Sequence, residues 1–165
     1  MRDLSLKIAT KDDVSIIQSL ANKIWRKNYP AIISLAQIDY MLEKIYSAQS
    51  LYQQMSEGAV FLICYASGKE AGFCSYNKQG NGNFFLHKLY VDTEMHHEGI
   101  GTWLLNEIFG KKDDLVELRL TVNRLNYKAI NFYFKNGFVI EKVKDLDIGN
   151  GYWMNDFVMI KKYRR

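Results

Sequence analysis

The chain has 165 residues, 48% hydrophobic and 24% charged, the balance of one folded domain and not of a disordered chain. Its longest apolar run, Ala59 to Ala66, falls far short of the roughly 18 residues that span a bilayer, so no membrane partner is expected. The net charge of +4 vanishes when Lys161, Lys162, Arg164 and Arg165 are set aside; the body is neutral, and no nucleic-acid partner is expected.

In chain order, Leu4 to Ala9 reads as a short strand. Thr10 before Asp12 and Asp13 signals a helix N-cap, and Val14, Ile17, Leu20, Ala21, Ile24 and Trp25 follow at helical spacing. Pro30 marks the exit, and Ser34 with Gln37 caps a second helix carrying Leu35, Ile38, Met41, Leu42 and Ile45 on one face. After Gly58 the period becomes that of strands: Val60 to Ala66 and Ala71 to Tyr76 flank the turn Ser67-Gly68-Lys69-Glu70. A glycine-rich loop, Gln79 to Asn83, leads to a third strand, Phe84 to Val91. A helix is expected over Gly99 to Phe109, a strand over Leu115 to Val122, and a helix from the Asn126 cap to about Asn136, closed by Gly137. Two strands end the chain, Phe138 to Asp145 and Tyr152 to Lys161. This order predicts a single α/β (α+β) domain over residues 1–165, with a central mixed, mostly antiparallel sheet flanked by helices.

Cys64 and Cys74 are the only cysteines, too few for a disulfide scaffold or a structural zinc site. Met1 to Lys7 lacks the apolar stretch of a secretory signal, so a cytoplasmic protein with reduced thiols is expected. His96 and His97 are adjacent, with no cysteine or carboxylate cluster to complete a ligand set, and no metal is expected.

Chemistry concentrates in two stretches. In the first, Leu86-His87-Lys88-Leu89-Tyr90-Val91-Asp92 runs through Glu98-Gly99-Ile100-Gly101-Thr102 into an amphipathic helix. Unpartnered N–H groups at a helix start, with glycines that remove Cβ atoms, make a cradle for a diphosphate. The second is Asn126-x-x-Ala129-x-x-Phe132-Tyr133-x-x-x-Gly137-Phe138, after Leu118 to Val122.

Together these blocks resemble the GNAT acetyltransferase superfamily, whose acetyl-CoA motif is Gln/Arg-x-x-Gly-x-Gly/Ala; here His96 stands at its first position. The resemblance covers nearly the whole chain and implies a GNAT fold with strands splayed at the acetyl-CoA site. It implies that Leu89, Tyr90 and Val91 line the pantetheine and that the amides of His97, Glu98, Gly99, Ile100, Gly101 and Thr102 hold the pyrophosphate. Asn126 would bond the cofactor arm, and Tyr133 would contact the cofactor and protonate the departing thiolate; its structural alternative is a core tyrosine. No acid occupies the family's usual positions for a base, and Thr121 stands near one of them. His87, whose reference pKa is near 6.5, is a candidate base, with a water relay as the alternative.

A narrower resemblance, to the PaiA-type polyamine acetyltransferases, rests on Trp25 to Pro30, Tyr40-Met41-Leu42 and Gly151 to Asp156. It implies a small-molecule amine acceptor, and Asp145, Asp147 and Asp156 around Tyr152 and Trp153 could form a rim for an ammonium group. The alternatives are a peptide or protein amine as acceptor and a CoA-binding regulatory module without turnover. A homodimer is compatible with the sequence.

Overall fold

The computed structural model describes residues 3–163, and at His96, His97 and Glu98 the backbone alone. The elements are β1 (Leu4–Ile8), α1 (Val14–Asn28), α2 (Leu35–Tyr46), α3 (Ala48–Ser56), β2 (Val60–Ala66), β3 (Lys69–Gly80), β4 (Asn83–Val91), α4 (Ile100–Phe109), β5 (Glu117–Asn123), α5 (Tyr127–Lys135), β6 (Val139–Gly149) and β7 (Tyr152–Lys162). Short 3-10 segments, Lys11–Asp13 and Thr93–Glu98, precede α1 and α4. Thr10 caps the first of them reciprocally with Asp13, and Ser34 Oγ accepts from Gln37 N at 3.1 Å to open α2.

Seven strands form one mixed sheet in the order β1-β2-β3-β4-β5-β7-β6. β1–β2, β2–β3, β5–β7 and β6–β7 pair antiparallel, while β4 and β5 run parallel. The parallel register extends from Asn83 opposite Glu117 to Leu86 opposite Leu120, whereas β4 itself runs to Val91 and β5 to Asn123.

Three two-residue turns set the hairpins: Ser67-Gly68, Asn81-Gly82 and Asn150-Gly151, each with positive φ at both residues. Paired left-handed residues match the right-handed twist of the flanking strands. The expected loop from Gln79 to Asn83 is therefore a tight turn, and β3 reaches Gly80. β6 extends to Gly149, beyond the expected Asp145, for the same reason. The α3 helix has no counterpart in the sequence reading: Leu51 is its only buried residue, so it carries almost no apolar period. The last strand, expected to end at Lys161, runs to Lys162; Arg164 and Arg165 lie outside the described residues.

The chain divides into two compact units. One runs to Asn77 and resumes over Lys88–Gly110; its core includes Ile17, Ile24, Ile38, Leu51, Ile63, Phe73 and Leu104, each 1% exposed or less. Trp25 stacks on Tyr29 at 4.4 Å, Tyr46 meets Phe73 edge to face at 6.0 Å between centroids, and Tyr90 packs tilted against Phe73 at 5.5 Å. Cys64 and Cys74 are buried on β2 and β3 of this unit, where desolvation pushes their thiols up to about 11 and about 12. The other unit takes Lys78–His87 and the described chain from Lys111 on, around Phe84, Leu86, Leu118, Leu120, Phe138 and Met159.

Gly72 lets the β3 backbone lie close against Tyr90 and Val91 of β4. A Cβ there would stand 2.2 Å from the Tyr90 carbonyl oxygen, a backbone atom that cannot step aside. Gly72→Ala is expected to cost about 1–3 kcal/mol, the range for overpacking. Urea unfolding of the variant measures it, and an unchanged midpoint would contradict the packing described here.

Candidate active site

In the first unit the candidate residues gather where β4 ends. Asp92 caps the 3-10 segment, its Oδ1 accepting from Glu94 N at 3.2 Å, while Lys23 Nζ of α1 donates to Oδ2 at 2.6 Å. Burial raises the Asp92 pKa, but the Lys23 ammonium and the Glu94 N–H outweigh it and hold the carboxyl below its ordinary value. Gly99 then takes φ 70° and ψ 12°, ending the 3-10 segment and capping α4, with Trp103 N donating to its carbonyl at 2.9 Å. Ile100, Leu104, Leu105, Ile108 and Phe109 anchor α4 in the core, so Ile100 can offer a ligand its amide but not its side chain.

The start of α4 fits a diphosphate on three counts. The first-turn N–H groups of a helix have no intrahelical acceptors, and the dipole is positive at that end. No acidic side chain stands in that turn to neutralise it. A Cβ added at Gly99 would meet nothing within 4 Å, so the space in front of the cradle is open. The His97 and Glu98 amides belong to the 3-10 segment; their side chains, and that of His96, lie outside the described residues.

Leu89, Tyr90 and Val91 are half-buried at the end of β4. The Tyr90 ring packs among Trp25 and Phe73, with its hydroxyl 3.5 Å from that of Tyr29, so the backbone of this stretch is what a ligand could pair with. Beside it Lys88 is buried, its Nζ donating to Gln54 Oε1 at 2.6 Å between the rings of Tyr46 and Phe61. Burial brings its pKa down to about 8. The sequence reading passed over this residue, although a lysine in phase with Phe84 and Leu86 was its signal.

The other compact unit carries the second sequence motif. Asn126 is the N-cap of α5: its Oδ1 accepts from Ala129 N at 3.2 Å, leaving the Nδ2 donors. At the far end Gly137 adopts φ 86°, Gly137 N donates to Phe134 O at 3.0 Å, and Phe138 N to Tyr133 O at 3.0 Å. This is a Schellman closure, with the accompanying apolar contact made by the Tyr133 and Phe138 rings, 5.5 Å apart. Tyr133 is 8% exposed. His87 is exposed on β4, its ring 4.8 Å from that of Phe85.

In the same unit a groove of about 520 Å³ runs over the sheet, lined by Phe85, Arg119, Thr121, Val158 and the exposed strand β6 from Glu141 to Asp145. Arg119 donates to Glu117 at 2.7 Å and to Glu141 at 2.9 Å, so two carboxylates neutralise its charge.

Residues 57–140 match the acetyltransferase (GNAT) domain family. The chain belongs to the GNAT acetyltransferase family. Acetyl-CoA is the acetyl donor of that family. A GNAT relative, the spermidine N(1)-acetyltransferase of Thermoplasma acidophilum, is 31% identical over 159 residues, which cover 92% of each chain. The crystal structure of the PaiA N-acetyltransferase from Thermoplasma acidophilum, in complex with coenzyme A, superposes with a TM-score of 0.80 at 30% identity, covering 98% of this chain and 99% of that one. A GCN5-related N-acetyltransferase from Rhodopseudomonas palustris shares the GNAT fold, with a TM-score of 0.77 at 19% identity over 96% of this chain and 95% of its own. Among the described residues no helix is long and apolar enough to cross a membrane.

Lys88 gives the fold a pH signature. Its pKa is lowered on folding, so between about 8 and the ordinary lysine value the unfolded chain holds more protons, and stability rises with pH across that window. Urea midpoints of the wild type are expected to climb there, and those of Lys88→Met to lose that climb.

Proposed function

We propose that the protein transfers the acetyl group of acetyl-CoA to a primary amine of a polyamine, by direct attack while both substrates are bound. The observation that carries the donor side is the α4 start, with open space before Gly99 and no acid in its first turn. The acceptor class rests on the similarity to the spermidine N(1)-acetyltransferase.

In this reading the amides of residues 97–102 hold the pyrophosphate, and the backbone of Leu89 to Val91 pairs with the pantetheine as an added strand would. The Nδ2 of Asn126 donates to the cofactor arm. His87, exposed beside the groove-lining Phe85, takes a proton from the acceptor amine, directly or through water. As the amine nitrogen bonds to the carbonyl carbon and the C–S bond breaks, the Tyr133 hydroxyl gives its proton to the thiolate. A peptide amine is the second reading: β6 is an edge strand exposed along almost its whole length, against which an extended chain could lie. Free-thiol release from acetyl-CoA across a panel of spermidine, diamines, monoamines and peptides separates the two.

Gly101→Val places a branched side chain in the first turn of α4 and is expected to abolish acetyl-CoA binding while the circular dichroism of the fold persists. Unchanged affinity by calorimetry would remove the pyrophosphate from this helix. Tyr133→Phe keeps the ring contact with Phe138 and is expected to lower the rate of the chemical step about a hundredfold, the usual effect of losing a general acid. Single-turnover rates at saturating acetyl-CoA check this, and a wild-type rate would assign the proton to solvent.

A further inference from the structure

The three aspartates of the last hairpin have separate employments. Asp145 forms an ion pair with Arg124 at 2.8 Å, and Asp147 Oδ1 accepts from Gly149 N at 2.9 Å. Asp156 is only 5% exposed, and among the described residues its carboxylate makes no hydrogen bond or ion pair. We propose that the Asp156 carboxylate is the docking point for a remote ammonium group of the acceptor, at the end of the groove over β5, β7 and β6. The proposal rests on the N-acetyltransferase reading above and names a residue that anchors its substrate.

Strand register carries the placement. Asp156 lies opposite Asn123 of β5 and Lys144 of β6; one alternation step away on the same face, Val158 lies opposite Thr121 and Lys142. Val158, Thr121, Lys142 and Lys144 all line the groove. No register shift intervenes between these pairs, so Asp156 continues that face. A carboxylate that is 5% exposed and has no protein donor among the described residues is poorly solvated, and an alkylammonium brings three N–H donors with the opposite charge. Among the described residues no group of three metal-ligating side chains offers a cation site instead.

The surrounding charges allow one such cation. Burial pushes the Asp156 pKa up to about 6, Lys144 and Arg124 pull it down, and Asp145 pushes it up. Lys144 is exposed on the edge strand, where its ammonium can stay in water, and Arg124 is engaged by Asp145. Arg119, further along, is flanked by Glu117 and Glu141, and the Phe85 ring offers a face to the alkyl chain or to a second ammonium. A diamine or polyamine reaching along this groove thus meets one buried anion.

The test compares wild type and Asp156→Asn with 1,4-diaminobutane, spermidine and butylamine as acceptors. The expected result is a rise of about tenfold or more in KM for the diamine and spermidine, the usual effect of losing a charge-assisted hydrogen bond. KM for acetyl-CoA and the rate with butylamine stay as in wild type. Wild-type kcat/KM for the diamine falls as pH drops through about 6, where the carboxylate protonates, and Asp156→Asn lacks that limb. Unaltered diamine kinetics, or an equal loss with butylamine and the diamine, overturns the anchor. The wild-type Asp156 carboxyl resonance, followed by NMR, titrates near 6 with a midpoint that moves down when 1,4-diaminobutane is added; an unmoved midpoint overturns the proposal even where the variant does not fold. A wild type that acetylates no amine in the panel instead removes the functional reading. The NMR titration with diamine then decides on Asp156 by itself.

Discussion

Everything asked of Tyr133 depends on how α5 ends. The Schellman closure requires a left-handed residue at Gly137, where φ is 86°, and it returns the next residue, Phe138, onto the Tyr133 turn. The closing N–H of Phe138 reaches the Tyr133 carbonyl, and the two rings meet edge to face. The tyrosine, the glycine and the following phenylalanine are therefore one mechanical unit, and their spacing is the geometry of a helix terminus before it is a matter of catalysis. The backbone turn that ends α5 thus fixes where the Tyr133 ring starts and what it packs against.

The same logic, in mirror order, governs α4. There a left-handed glycine stands at the start of a helix, and the chain before it is held by a charged contact from α1, Lys23 to Asp92, with Glu94 at 3.4 Å completing the cluster. A helix start that exposes its N–H groups gains no stability from doing so. Its geometry has to be held by neighbouring elements, and the Lys23–Asp92 pair and the buried α4 face hold it here.

These two termini were legible in the sequence because glycine and asparagine at fixed offsets have one backbone meaning each. The apolar periods of α1, α2, α4 and the inner strands were legible for a similar reason. Where the reading fell short, the information lay between segments. α3 buries one residue and has no period to detect. The run from Gln79 to Asn83 looks like a loop by composition, yet its asparagine and glycine supply the two left-handed positions of a minimal hairpin. The acidic rim divided for want of register: only the fold reveals that Asp145 meets Arg124 while buried Asp156 lies opposite Lys144. Lys88 needed the opposite correction, since its cage of Gln54, Tyr46 and Phe61 is assembled from three elements far away in the chain.

The two cysteines bear on how such a protein can be studied. Cys64 and Cys74 are 0% exposed, and desolvation keeps both in the unreactive thiol form at neutral pH. Reagents that colour on meeting a thiolate will find the small-molecule thiol product long before either side chain. The native enzyme therefore contributes almost no background to such a reading, and a slow stoichiometric rise of two thiols per chain would report unfolding rather than turnover.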